Sequence, residues 1–534
     1  MSSNLCDFPS NKTAWPPVLC CVSNKIFHRK GSVKMNKSLE QLDYKGIFKY
    51  FTEISKIPRG SGNEGEISKY LVTFAKTHNL EYTQDEAKNV IMIKEASPGY
   101  EDEPAILLQG HMDMVCEKLK DSTHDFLKDE IKLIVDGDFL HADGTTLGGD
   151  NGIAVAYILA LFSDETLPHP RLEAVITTDE EVGMLGAKEL DLSGLKAKYM
   201  INMDSGEEGY LLASCAGGLT GTCYLPINRI TEYGKKIKVS IGGLIGGHSG
   251  MDIVKNRSNA NKVMGRLLFD LRESEQFGII HMEGGFKDNV IPREAYGELL
   301  VTVDETTNNS KDEKALTEAY LKIKSRIDEL TKAYQHELSG SEPDLKITVE
   351  DLGDGEYPML HPVSFEKVLF MLVNMPYGVQ VMSSHIEGLV ESSLNLGIFR
   401  LEEDKAIFCN SVRSSIGNYK HYISNRLNYL VSFLGGDYEV RSEYPAWEYK
   451  KESPLRNHLN RIYKELYGKE MKVEAIHAGL ECGFFHEKMP GIDIVSIGPE
   501  LYRIHTIEER LSISSAIRVY KFVETVLKEK IGDL

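Results

Sequence analysis

Between residues 105 and 205 the chain repeats one arrangement, a short apolar run followed closely by acidic or histidine side chains. The runs at 90–93, 105–108, 173–177 and 200–203 suit strands buried on both faces, as in a mostly parallel sheet. A helix expected at 151–161 falls between two of them. This is an α/β layout, in which ligands gather at the carboxyl ends of the strands. His111 and Asp113 follow the run at 105–108, and Asp150 and Asn151 follow the glycine-rich turn at 144–149. Asp179, Glu180 and Glu181 follow the run at 175–177, and Asp204 follows 201–203.

Each cluster alone has an ordinary explanation. Asp150 is a good helix cap, Glu180 and Glu181 resemble a solvated pair, and Asp204 suits a turn. The glycine turn lacks the Lys-Ser/Thr of a phosphate loop. Four such clusters at successive element ends converge instead on one site. Carboxylates mixed with imidazole suit zinc, or manganese or cobalt, better than magnesium. Two such cations bridged by a carboxylate lower the pKa of water and polarise a scissile carbonyl. A free carboxylate beside them is then needed to move the proton.

Composition narrows the class. At 534 residues the chain exceeds one ordinary core, so two or more domains are expected. A net charge of −19 leaves no excess of lysine and arginine for phosphates, so nucleic acid is not the expected partner. No apolar run approaches the roughly 20 residues that span a bilayer, so no membrane partner is expected. The eight cysteines form no C-x-x-C pair, which favours reduced thiols in a cytoplasmic protein. Residues 1–34, with Cys6, Cys20 and Cys21, show no period and are expected to be a disordered extension. Helices are expected from 47 to 54, ended by Pro58, and after a capping box of Ser61 and Glu64.

The motifs Gly110-His-Met-Asp113, Gly148-Gly-Asp-Asn-Gly152, Thr178-Asp-Glu-Glu181 and Asn202-Met-Asp-Ser205 resemble those of the di-zinc superfamily of carboxypeptidases, aminoacylases and dipeptidases. Gly246-Gly-His-Ser-Gly250, Asn289-Val-Ile-Pro292 and His477-Ala-Gly-Leu-Glu-Cys-Gly483 resemble its bacterial cytosolic non-specific, or Xaa-His, dipeptidase branch. The likeness runs from about residue 43 to the C-terminus. It implies two zinc ions held by His111, Asp150, Glu181, Asp204 and His505, with Asp150 bridging. It implies Glu180 as general base and then acid, Asp113 orienting His111, and a peptide bond after Asp150 that is often cis. His248, otherwise a plain loop histidine, would stabilise the oxyanion, often across a homodimer. Asn289 and Arg413 would hold the substrate's carboxylate, and Glu481 would engage its amine. Ser258 departs from the branch, standing where its Gly-Asn-Ala element has glycine.

The resemblance also implies an inserted α+β lid of two related halves. Strands at 235–241 and 295–303 and a helical face at 263–271 form the first, and a long charged helix at 312–338 separates it from the second. Segments 362–373, 389–400 and 405–412 repeat the theme. The division expected is 35–217 and 436–534 for a catalytic domain and 218–435 for the lid. The expected activity is hydrolysis of dipeptides, Xaa-His among them and β-alanyl-histidine a candidate. The rivals are a related N-acyl-amino-acid hydrolase or carboxypeptidase and a non-catalytic peptide-binding protein.

Overall fold

The computed structural model describes residues 39–303 and 311–531, so the expected extension at 1–34 lies outside the described residues. Two large sheets organise the chain. The first has eight strands, in the spatial order Glu81–Gln84, Val90–Lys94, Leu172–Thr177, Ile106–His111, Tyr199–Asn202, Asp493–Ser496, Tyr210–Cys215 and Lys472–Ile476. Its centre is parallel, from Leu172–Thr177 through Ile106–His111 and Tyr199–Asn202 to Asp493–Ser496. Antiparallel pairs flank it. This is the mostly parallel mixed sheet of the expected α/β class.

The two strands Ile106–His111 and Leu172–Thr177 are buried at every position, because helices cover both faces. One of those helices, Gly149–Ser163, is apolar on all sides and buried from Asn151 to Phe162. It packs between Ile106–His111 and the helix Ile47–Ser55. Gly110 makes that approach feasible: a Cβ there would sit 2.7 Å from the Ala154 Cβ and collide with Asn151 Oδ1. Asp150 and Asn151 are not helical, and the peptide bond between them is cis.

The second sheet is antiparallel, in the order Lys346–Leu360, Arg229–Gly242, Ala295–Val301, Phe277–Gly284, Val390–Leu401, Lys405–Ser414, Gly217–Pro226 and Asp437–Tyr444. Most of it is two βαββα units. The first is Arg229–Gly242, Ala260–Leu271, Phe277–Gly284, Ala295–Val301 and Glu313–Glu337. The second is Lys346–Leu360, Pro362–Asn374, Val390–Leu401, Lys405–Ser414 and Gly417–Phe433. Strand alternation turns Ile237, Val239 and Ile241 onto a core shared with Leu267, Leu268 and Leu271.

The strand Asp437–Tyr444 lies beyond the boundary expected at 435. This strand still pairs with Gly217–Pro226, and the chain leaves the second sheet only after Tyr444. It is a charged edge strand, and its mostly exposed pattern reads in sequence like a linker. Ser258 has no positive φ, so serine fits where the branch has glycine, and its N–H donates to Glu342 Oε1 at 2.7 Å.

A small third sheet joins distant parts of the chain. Leu133–Asp136 and Phe139–Ala142 form a hairpin that pairs with Arg510–Ser512, and the latter pairs with Leu501–Tyr502. The loop between Leu501–Tyr502 and Arg510–Ser512 is thereby set beside the turn that leads into Asp150.

Candidate metal centre

The three central strands end side by side, and His111, Glu181 and Asp204, at or just beyond those ends, meet Asp150 and His505 in one cluster. His111 Nε2 lies 3.3 Å from Asp150 Oδ1 and 3.6 Å from Asp204 Oδ1. On the other side, His505 Nε2 lies 3.2 Å from Asp150 Oδ2 and 2.9 Å from Glu181. Two histidine–carboxylate groups therefore share Asp150, one oxygen each. His111 is grouped with Asp204, and His505 with Glu181.

The backbone around the cluster is held by side chains. Asp113 Oδ1 is 3.2 Å from His111 Nδ1 and also accepts the Glu180 N–H at 3.1 Å. Its Oδ2 accepts from the Glu181 N–H at 3.3 Å and from Ser61 Oγ at 2.8 Å. One buried carboxylate thus orients an imidazole and fixes the segment that carries both glutamates. Asn151 Oδ1 accepts the His111 N–H at 3.2 Å, and its Nδ2 donates to Met203 O at 2.8 Å, joining two strand ends.

Electrostatics show how strongly the carboxylates of the cluster act on one another. Burial and the neighbouring Asp150 push the Asp204 carboxyl up to about 7, although His111 draws it down. Burial first, and then Asp204, Glu481 and Glu181, push Glu180 well above the usual carboxylate range. Hydrogen bonds to Asp150 and Glu181 raise His505 to about 10. Burial lowers His111, but Asp113, Asp150 and Asp204 outweigh it and hold the ring well above its ordinary value. Crowded carboxylates that draw protons onto their neighbours are a donor set suited to cations. His111, Asp150 and Glu181 alone bring one ligand atom each to within 4.8 Å of one another.

A family model described as Peptidase family M20/M25/M40 matches residues 107–529. The chain belongs to this family. It is accordingly a peptide hydrolase. It is 33% identical to the cytosol non-specific dipeptidase of Escherichia coli, over 92% of this chain and 99% of that one. The crystal structure of an aminoacylhistidine dipeptidase from Vibrio alginolyticus superposes with a TM-score of 0.84, at 31% identity, over 92% of this chain and 98% of that one. An aminopeptidase PepT structure from Bacillus cereus, 14% identical, shares the fold over 92% of this chain and all of that one, with a TM-score of 0.53.

In this family member a second group of polar side chains forms on the antiparallel sheet. The short ladder of Gly247–His248 with Val290–Ile291 sets His248 beside Asn289, whose carbonyl accepts the Ser249 N–H at 2.9 Å. His248 Nδ1 accepts the N–H groups of Gly250 and Met251, both at 3.2 Å, which leaves Nε2 as the donor of the neutral ring. Burial and the nearby Arg413 push its pKa down, so the ring is neutral. Arg413 is itself buried and donates to the Tyr444 hydroxyl at 3.0 Å. His477 joins them from the first sheet's side, its Nε2 2.7 Å from Ser393 Oγ. Among the described residues, no hydrogen bond or ion pair links this group to the metal cluster.

Glu481 is 0% exposed, and its Oε2 accepts from Thr177 Oγ1 at 2.7 Å and from Gln109. Burial pushes its carboxyl up to about 7. Ser61 does not form a capping box. The helix is Gly65–Thr77, with Glu64 at its N-cap and no side-chain cap bond, and the Ser61 hydroxyl is given to Asp113. Sequence reasoning also missed Arg59 and Glu509. A buried arginine after Pro58 and a glutamate inside Glu508-Glu509-Arg510 carry no local signal that separates them from solvated charges.

Proposed function

We propose that the chain is a metal-dependent dipeptidase whose lid closes over the cluster of His111, Asp150, Glu181, Asp204 and His505. The observation that carries this reading is the sharing of Asp150 between two histidine–carboxylate groups, which suits a pair of ions. His111, Asp204 and Asp150 would hold one ion, and His505, Glu181 and Asp150 the other. We assign zinc, with manganese or cobalt as substitutes. When bound, the ions supply Lewis acidity and make water a nucleophile at neutral pH.

The protein's own groups do the rest. Glu180, with its carboxyl pushed up by burial, takes the proton of the attacking water and returns it to the leaving amine. Asp113 keeps His111 and the Glu180 backbone in register. The His248 Nε2–H donates to the carbonyl oxygen as charge develops there. Arg413 and Asn289 bind the carboxylate that every dipeptide carries close to its scissile bond, and this selects dipeptides over longer chains.

We read residues 35–217 and 445–534 as the catalytic domain and 218–444 as the lid. We further infer a cytoplasmic homodimer. The location is supported by the description of the Escherichia coli relative as a cytosol enzyme, and the dimer by the exposed Tyr422, Tyr429 and Phe433 on the helix Gly417–Phe433. No helix among the described residues is long and apolar enough to cross a membrane.

A substrate panel tests the reading. Ala-His, β-Ala-His, Ala-Ala-His and N-acetyl-histidine are compared with the amide of Ala-His. Dipeptides with a free carboxylate are expected to be cleaved best, and Arg413→Lys to lose most of the preference for acid over amide. Faster cleavage of N-acetyl-histidine would favour an acyl-amino-acid hydrolase instead.

A further inference from the structure

We propose that Glu509 is a positioning residue of the metal centre. It grips the turn that presents Asp150 and couples it to the loop that presents His505. The inference rests on the metal-centre reading and extends it to a residue with no ligand role. Glu509 is 3% exposed. Its Oε2 accepts the N–H groups of Leu147 at 2.8 Å and Gly148 at 3.0 Å, and its Oε1 accepts the N–H of Asp150 at 3.2 Å. All three donors belong to the turn at 147–150. No other side chain among the described residues accepts from them.

The same turn is held from its carbonyl side. Arg59, 2% exposed, donates from Nη2 to Gly148 O at 2.6 Å and from Nη1 to Met112 O at 3.0 Å. A buried anion and a buried cation thus take the donors and acceptors of one turn, and Arg59 ties it to the strand end of His111. Side chains elsewhere in the turn have no room: a Cβ on Gly149 would lie 2.8 Å from Leu501 Cδ2 and 3.2 Å from Glu509 Oε1.

The position of Glu509 in the chain gives the coupling. It lies four residues after His505, in a loop closed by Glu509 N–H to Thr506 O at 3.0 Å and anchored by the strand Arg510–Ser512. One loop therefore supplies a side chain to one histidine–carboxylate group and fixes the backbone of the residue both groups share. A carboxylate suits this role because it accepts at both oxygens. Glutamine would turn an N–H₂ toward either Asp150 N–H or the Leu147 and Gly148 pair, leaving donors opposed. Glu508, its neighbour, pairs with exposed Arg503 at the surface and serves as a control.

The test compares Glu509→Gln, Glu508→Gln and the parent enzyme by chelator competition for zinc, alongside circular dichroism. Glu509→Gln is expected to bind zinc 10–100-fold more weakly, with a native spectrum and Glu508→Gln unchanged. Equal zinc affinity for Glu509→Gln and the parent would overturn the proposal. If the parent binds no zinc, manganese or cobalt, the metal-centre reading falls as well. Should Glu509→Gln fail to fold, amide hydrogen exchange in the metal-free parent decides. Protection of the Leu147, Gly148 and Asp150 amides before metal is added supports a preset turn, and free exchange there overturns it.

Discussion

Two buried carboxyls outside the ligand set make the protein's stability depend on pH. Burial, and then Asp179, push Glu64 up to about 7, and burial pushes Glu481 to about 7. Both start from about 4.5 in the unfolded chain. A carboxyl with a raised folded value contributes stability below its unfolded pKa and loses it as pH rises through its folded pKa. The metal-free protein is therefore expected to melt higher at pH 5 than at pH 7.5. Glu481→Gln should flatten that slope, which calorimetry at the two pH values measures. Of the proposed ligands, His111, Glu181 and Asp204 were legible because each follows an apolar run, Asp150 was read from its glycine-rich turn, and His505 came only from the family resemblance. The full burial of Glu481 was not legible, because nothing local separates a buried carboxylate from a solvated one. Arg59 and Glu509 were not legible, since their partners are backbone groups up to 362 residues away.

The element that positions most of the site is the helix Gly149–Ser163 against the strand Ile106–His111. Its uniform apolarity announced burial, but not which strand it meets. That contact depends on Gly110, where an added methyl would strike Asn151 and Ala154. Overpacking of this kind costs about 1–3 kcal/mol. Gly110→Ala is expected to lower stability by about that amount in a urea titration, and to lower activity by more than the folded fraction explains. Asn151 links the His111 and Asp204 strand ends, so the shift reaches the ligands. Normal specific activity per folded molecule would show that the helix adjusts without moving them. The capping box at Ser61 failed for a complementary reason. A serine beside a helix start satisfies local rules, yet its hydroxyl is taken by Asp113, 52 residues away.

On the scale of the molecule, length predicted two or more domains and the pattern an α/β sheet with an α+β insertion of two related halves, and the two βαββα units match that repeat. The charged edge strand Asp437–Tyr444 was missed, because an edge has one partner and tolerates polar residues on both faces. It carries the chain back toward the first sheet, where Cys215 and Trp447 pair, and Tyr444 meets Arg413 at that crossing. The proposed metal ligands and the proposed carboxylate-binding residues thus sit on different sheets, and the proposed hydrolysis has both engage one small peptide. The most direct test is Ala-His hydrolysis by metal-replete enzyme, chelator-stripped enzyme and the Glu180→Gln variant. The account predicts that stripping abolishes cleavage and zinc restores it. It also predicts that Glu180→Gln binds zinc normally but turns over about 10²–10⁴-fold more slowly. Undiminished cleavage by stripped enzyme or by Glu180→Gln would contradict it.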